Sequence, residues 1–132
     1  MNHRDKKYLA YVRRHSSCLW GEPEEWVEQG SSSHDPTVAH HCHLWGDGGI
    51  ALKPSDYRTV PLSAAEHVNL HNMGEKAFWA QYEDDPMEVV VTLLTGFVRD
   101  KGAIVEAFLS YRKHRSDRML LTDLEMIAVR EG

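Results

Sequence analysis

The strongest local structural signal in the chain is carried by the segment SAAEHVNLHNMG, which begins at Ser63. Ser63 is a favourable N-cap residue, and Glu66 follows it at the spacing of a capping box. Gly74 ends the segment with a helix stop signal. The segment therefore predicts a short helix on which His67 and His71, four positions apart, share one face.

A second group of histidines lies upstream in TVAHHCHL, within a chain that holds nine histidines in 132 residues. Its β-branched first residues and its lack of a breaker predict a strand. Side chains alternate along a strand, so His40 and His41 should point to opposite faces. An ion held by His40, His67 and His71 would hold a phosphate oxygen, leaving His41 free as a general base. A metal-free polar pair at the surface is the alternative reading of His67 and His71.

The other segments predict helices on both sides of a short hairpin. A helix is expected over 5–15, and KPSDYRTVPL should form a second extended segment that pairs with the first across the breaker GDGG. EKAFWAQY should be helical and end before Pro86. MEVVVTLLTGFVRD is interpreted as a helix rather than a strand, and AIVEAFLSYRKHR as an amphipathic helix, whereas MLLTDLEMIAV is left open.

Composition favours one soluble domain spanning 1–132, with 42% hydrophobic and 27% charged residues. No apolar run approaches the roughly 20 residues of a membrane span, and the first residues contain no apolar signal core. With Cys18 and Cys42 expected to be reduced, we predict a cytoplasmic protein that does not bind membranes. The net charge of −5 does not favour nucleic acid, although basic residues cluster locally.

The order AHH, GDGG, KPSDYRTVPL, EHVNLH and GEKAFW resembles the HNH, or ββα-metal, endonuclease superfamily, in particular its small phage and prophage members. The resemblance implies an α+β fold whose ββα-metal core, a short β-hairpin packed on a helix, spans about 8–82. It also implies an N-terminal helix before the hairpin. Extra helices would form a C-terminal extension over about 87–132, which resembles nothing we can name.

By this resemblance, His41 takes the position of the general base, and the metal ligands are His40, His67 and His71. The middle residue of the motif, which orients the base or binds the ion, is assigned to Asp56 in PSDY. The superfamily's commonest spacing would select Arg58 instead. The implied activity is metal-dependent hydrolysis of DNA, in the host cell if the protein is phage-encoded. It needs one divalent ion, Mg, Mn, Zn or Ni. Residues expected to contact the DNA phosphates are Lys53, Arg58, Arg13 and Arg14.

The sequence departs from the family at the structural zinc knuckle. The four positions that usually hold Cys or His are occupied by Ser17, Trp20, Ser63 and Glu66. We therefore expect no structural zinc. The helix cap and the bulk of Trp20 would offset part of the lost binding energy.

Two other functions stay open. The first is that of a catalytically inactive HNH-derived phage protein whose C-terminal helices bind a host or phage protein. The second is a structural zinc protein, with Cys42 or Asp56 as the fourth ligand. His43 is interpreted as a polar neighbour of the cleft rather than a ligand. The other four histidines are interpreted as surface residues, namely His3, His15, His34 and His114.

Overall fold

The protein, as a computed structural model, is described over residues 3–19, 35–45, 53–99, 101–114 and 117–131. These residues contain a two-stranded antiparallel sheet and six helices, so the predicted α+β class is confirmed at that level. In chain order the elements are α1 (Lys6–Arg13), β1 (Thr37–His41), β2 (Thr59–Ser63), α2 (Ala64–Met73), α3 (Glu75–Ala80), α4 (Pro86–Phe97), α5 (Lys101–His114) and α6 (Asp117–Glu131).

The two strands pair along their full length, with Thr37 opposite Ser63 and His41 opposite Thr59. One more bond, from the Cys42 N–H to the Arg58 carbonyl, extends the pairing beyond β1. Pro61 lies inside β2, where it cannot donate a hydrogen bond, and a strand of a two-stranded sheet tolerates this. Both extended segments were predicted, although each strand is shorter than its segment. The predicted GDGG breaker lies outside the described residues.

Helix α2 begins and ends as its residues predict. The Ser63 hydroxyl accepts a bond from the Glu66 N–H at 3.2 Å, and the Glu66 carboxylate accepts one from the Ser63 N–H at 2.8 Å. This reciprocal pair confirms the predicted capping box. Gly74 ends the helix with φ at +95°, a conformation that L side chains rarely adopt, and its N–H donates to the Leu70 carbonyl.

Replacing Ser63 with alanine should lower the free energy of unfolding by about 1 kcal/mol, because the Glu66 N–H loses its capping oxygen. Urea denaturation followed by circular dichroism measures the change. Asn72→Ala, at an exposed position of the same helix, is the matched control and should change stability by less than about 0.5 kcal/mol. Equal stability of the two variants would contradict a role for Ser63 in the cap.

The C-terminal helices α4 to α6 share one hydrophobic core with the hairpin unit, which consists of α1, β1, β2 and α2. Helix α4 contacts β2 and α1, and α6 packs on α4 and α5. Buried apolar side chains from both halves of the chain form one cluster, which includes Tyr8, Val60, Leu94 and Leu124. Helix α4 is buried along Val89, Val90, Leu93 and Leu94, which confirms the helical interpretation of this β-branched segment.

Both cysteines are fully buried and neither forms a disulfide. Burial raises the pKa of the Cys18 thiol far above its usual value, so this thiol stays protonated. In the described part of the chain, every helix is too short or too polar to cross a lipid bilayer.

Candidate metal centre and catalytic pair

Strand β1 and helix α2 bring three predicted metal ligands together. The His40 ring lies with its centroid 5.2 Å from that of His67 and 6.0 Å from that of His71. The Nε2 atoms of His67 and His71 are 3.0 Å apart, as expected for residues one helical turn apart on one face. One potential ligand atom from each ring falls within 4.8 Å of the other two.

This arrangement fits a divalent ion. Two imidazole nitrogens bound to one ion at roughly 2.0–2.1 Å lie about 3.0–3.4 Å apart, close to the separation of the two Nε2 atoms. Burial, and then the charges that His40 and His71 would carry, lower the pKa of His67, which favours the neutral ring that can bind metal. Among the described residues, neither Cys42 nor Asp56 joins the three histidines, so the group offers three protein ligands. A site with three protein ligands keeps a position for water or substrate.

The group formed by His40, His67 and His71 is reachable from solvent. His40 is only 2% exposed, whereas His71 is exposed and His67 is partly exposed. An open cleft of about 310 Å³ lies beside the group, and its lining consists of His40, His43, Leu70, His71, Gly74 and Glu75.

His41 points to a different partner from its neighbour His40. Its Nε2–H donates to Asp56 Oδ1 at 2.8 Å. Because Nε2 carries the proton in that bond, the lone pair of the neutral ring lies on Nδ1. Burial lowers the pKa of His41, and the hydrogen bond to Asp56 opposes this only in part, so the ring is neutral near pH 7. His41 is also close enough to His67 for its charge to affect the pKa of that ring.

Asp56 is itself held firmly by the N-terminal segment. Its Oδ2 accepts the Asp5 N–H at 2.8 Å, and its own N–H donates to the His3 carbonyl. Arg4 donates to the Pro54 carbonyl at 2.7 Å, to the Lys53 carbonyl at 2.9 Å and to Asp56 Oδ1 at 3.4 Å. The residues before α1 therefore fix the carboxylate that orients His41. Sequence reasoning missed Arg4 and Asp5, because only the fold brings them next to Asp56.

Glu75, at the start of α3, is a second residue that sequence reasoning missed. Its carboxylate accepts bonds from His40 Nε2 at 2.7 Å and from Trp79 Nε1 at 2.9 Å, and from the His43 N–H at 3.0 Å. Burial alone would raise the pKa of Glu75, but these bonds, led by the one from His40, outweigh it and lower the pKa. The only signal in the sequence is an acid directly after Gly74.

His40 also belongs to a second group. Its ligand atom lies within 4.8 Å of those of Cys42 and Glu75, since residues 40 and 42 share one face of the chain. Cys42 is fully buried, so this group is less accessible than the three histidines. The two groups share His40 and therefore offer an ion two alternative donor sets.

The predicted phosphate contacts fall into two kinds. Lys53, Arg13 and Arg14 have exposed side chains. Arg58 is only 7% exposed, and its Nε donates to Glu125, which is 5% exposed, on α6. Arg58 therefore lies in the interior as half of an ion pair, and its position does not support the predicted DNA contact.

Hydrogen bonds join Ser17, Ser63 and Glu66, three of the four residues at the positions where the sequence resemblance would place zinc ligands. Glu66 Oε1 accepts bonds from the Ser17 hydroxyl and the Ser63 N–H, and Ser17 is fully buried. The Ser17 hydroxyl in turn accepts the Leu19 N–H at 3.2 Å. This cluster links the segment after α1 to the start of α2. Trp20, the fourth position, lies outside the described residues.

Comparison with known proteins finds no family model that matches the chain, no curated protein similar in sequence and no solved structure similar in fold. The resemblance to HNH endonucleases therefore depends on the motif residues of the sequence alone.

Proposed function

We propose that the protein is a metal-dependent endonuclease of HNH type that hydrolyses DNA phosphodiester bonds. In this proposal β1, β2 and α2 are the ββα-metal core. The observation that carries it is that adjacent residues of β1 belong to two groups: His41 is paired with Asp56, and His40 converges with His67 and His71. Catalytic bases and metal ligands are both needed for this hydrolysis, and each of the two groups supplies one of them.

Each residue of the pair has a defined part in the proposed reaction. The Nδ1 lone pair of His41 removes a proton from the attacking water, and the Asp56 carboxylate holds the ring and stabilises the imidazolium that results. The metal ligands are His40, His67 and His71. A divalent ion held by them would supply Lewis acidity toward the phosphate and the leaving 3′ oxygen. The imidazole donors favour Zn, Ni or Co, whereas Mg and Mn usually prefer more oxygen ligands.

Contacts to the DNA backbone are assigned to three exposed cations. Lys53 directly precedes the segment that carries Asp56, and Arg13 and Arg14 end helix α1. Such contacts would be electrostatic, so binding should weaken as salt increases.

Metal titration followed by DNA cleavage tests the proposal. Calorimetry should show one Ni²⁺ or Co²⁺ bound per chain, and the same ions should support nicking or linearisation of supercoiled plasmid that excess EDTA stops. His67→Ala and His71→Ala should each weaken metal binding at least about 10-fold, since each removes a ligand. Asn69→Ala, on an exposed position of the same helix, is the control and should bind normally.

The alternative is an inactive HNH-derived protein that binds a protein partner, and one observation favours it. Val105 and Leu109 on α5 are 56% and 54% exposed, and Met126 on α6 is 47% exposed. Residues of these two helices, including Ala103, Ala107 and Met126, line an open groove of about 370 Å³. This alternative would be favoured if the chain bound no metal, or if His67→Ala and His71→Ala left the metal affinity unchanged.

A further inference from the structure

Glu75 connects three separate parts of the candidate metal centre. It contacts the ring of His40 on β1, the backbone of His43 just beyond that strand, and the indole of Trp79 one turn along α3. Its side chain is 14% exposed and its carboxylate accepts all three bonds, so it is held from three directions. A carboxylate fixed in this way restricts the ring that it contacts.

The contact determines which nitrogen of His40 is available to a metal ion. A carboxylate only accepts hydrogen bonds, so His40 Nε2 must carry the proton in the 2.7 Å bond. The neutral ring then has its lone pair on Nδ1. Metal-binding histidines usually donate their other N–H to a carboxylate or carbonyl, which sets the tautomer and the ring orientation. The His40–Glu75 bond has this form.

We propose that Glu75 is the positioning residue of the metal centre, holding His40 by Nε2 so that Nδ1 is left to bind an ion together with His67 and His71. The inference rests on the proposed function, because it assigns a role within the same site. His40 could also bind an ion together with Cys42 and Glu75. If Glu75 instead positions His40, the ion is bound by the three histidines and Cys42 is not a ligand.

Calorimetric titration of the full chain with Ni²⁺ tests the role of Glu75. Glu75→Ala should weaken Ni²⁺ binding about 10–100-fold, the usual cost of losing such a partner. Glu75→Gln keeps one oxygen that can accept the His40 bond, so it should restore affinity to within about 10-fold of the original chain. Glu83→Gln makes the same chemical change at an exposed position and should leave affinity unchanged.

Two further readouts separate positioning from other roles. Urea denaturation without metal should show that each Glu75 variant is fully folded under the titration conditions, so that a change in affinity does not report unfolding. The Co²⁺ complex should lack a sulfur-to-metal charge-transfer band in the near ultraviolet, because Cys42 is not a ligand.

Equal affinity of Glu75→Ala and the original chain would overturn the inference while leaving the proposed function intact. Loss of binding in Glu75→Gln as large as in Glu75→Ala would also overturn it, because it would make the carboxylate a direct ligand. A sulfur band that disappears in Cys42→Ser would assign the ion to His40, Cys42 and Glu75 instead. No metal binding by the original chain would reject the proposed function itself.

Discussion

Replacing His41 with alanine should reduce plasmid cleavage by about 10²–10⁴-fold, the usual contribution of a general base. The loss should fall on the chemical step, because His41 bonds Asp56 and is not one of the three convergent imidazoles. Ni²⁺ affinity and the free energy of unfolding should therefore change little. Single-turnover cleavage of a supercoiled plasmid at saturating metal measures the effect directly.

Asn69→Ala is the matched control for this substitution. It removes a polar side chain at an exposed position of α2 that is not part of the cleft lining or of the proposed ligands. Cleavage by this variant should stay within a few-fold of the original chain. Asp56→Asn should fall between the two, since an amide oxygen still accepts the His41 bond but no longer stabilises the imidazolium. Unchanged cleavage by His41→Ala would end the proposal for this residue.

Replacing Glu125 with alanine should lower the free energy of unfolding by about 3–5 kcal/mol. The substitution leaves the Arg58 guanidinium in the interior without the carboxylate that its Nε contacts. The pair joins the start of β2 to α6, so its loss should also loosen the packing of the C-terminal helix on the hairpin unit. Urea denaturation and the exchange of amide protons in α6 measure both effects.

The double substitution of Arg58 by Met and Glu125 by Leu is the informative partner experiment. Replacing both charges by apolar groups of similar size is often neutral, so the double variant should be far more stable than Glu125→Ala. Glu106→Ala, at an exposed position of α5, should change stability by less than about 0.5 kcal/mol. If Glu125→Ala changed the free energy of unfolding only slightly and Arg58→Met lowered DNA affinity, the predicted DNA contact of Arg58 would be supported after all.

Features set by neighbouring residues could be predicted from the sequence. The capping box needs only Ser63 and Glu66 at the right spacing, and Gly74 supplies the one positive φ in the described backbone. The shared face of His67 and His71 follows from the helical repeat. The helical interpretation of the segment that forms α4 is confirmed, although its β-branched run suited a strand as well.

Features that depend on distant parts of the chain could not be predicted. Arg58 and Glu125 are 67 positions apart, so nothing local marks them as a pair. The interpretation of His15 as a surface residue is wrong. Its ring is 3% exposed, stacks edge-on against Tyr11 at 4.7 Å and bonds the Tyr11 carbonyl through Nδ1. His34 lies outside the described residues.

The hydrogen-bonded Ser17, Ser63 and Glu66 have a practical consequence for the site beside them. Where a zinc ion joins these segments, a chelator removes a structural component as well as any reactive ion. In this protein, hydrogen bonds between side chains join these segments, and a chelator does not remove them. If the three histidines bind an ion as proposed, a chelator should remove it while the fold persists, so the affinities of different ions could be compared without refolding.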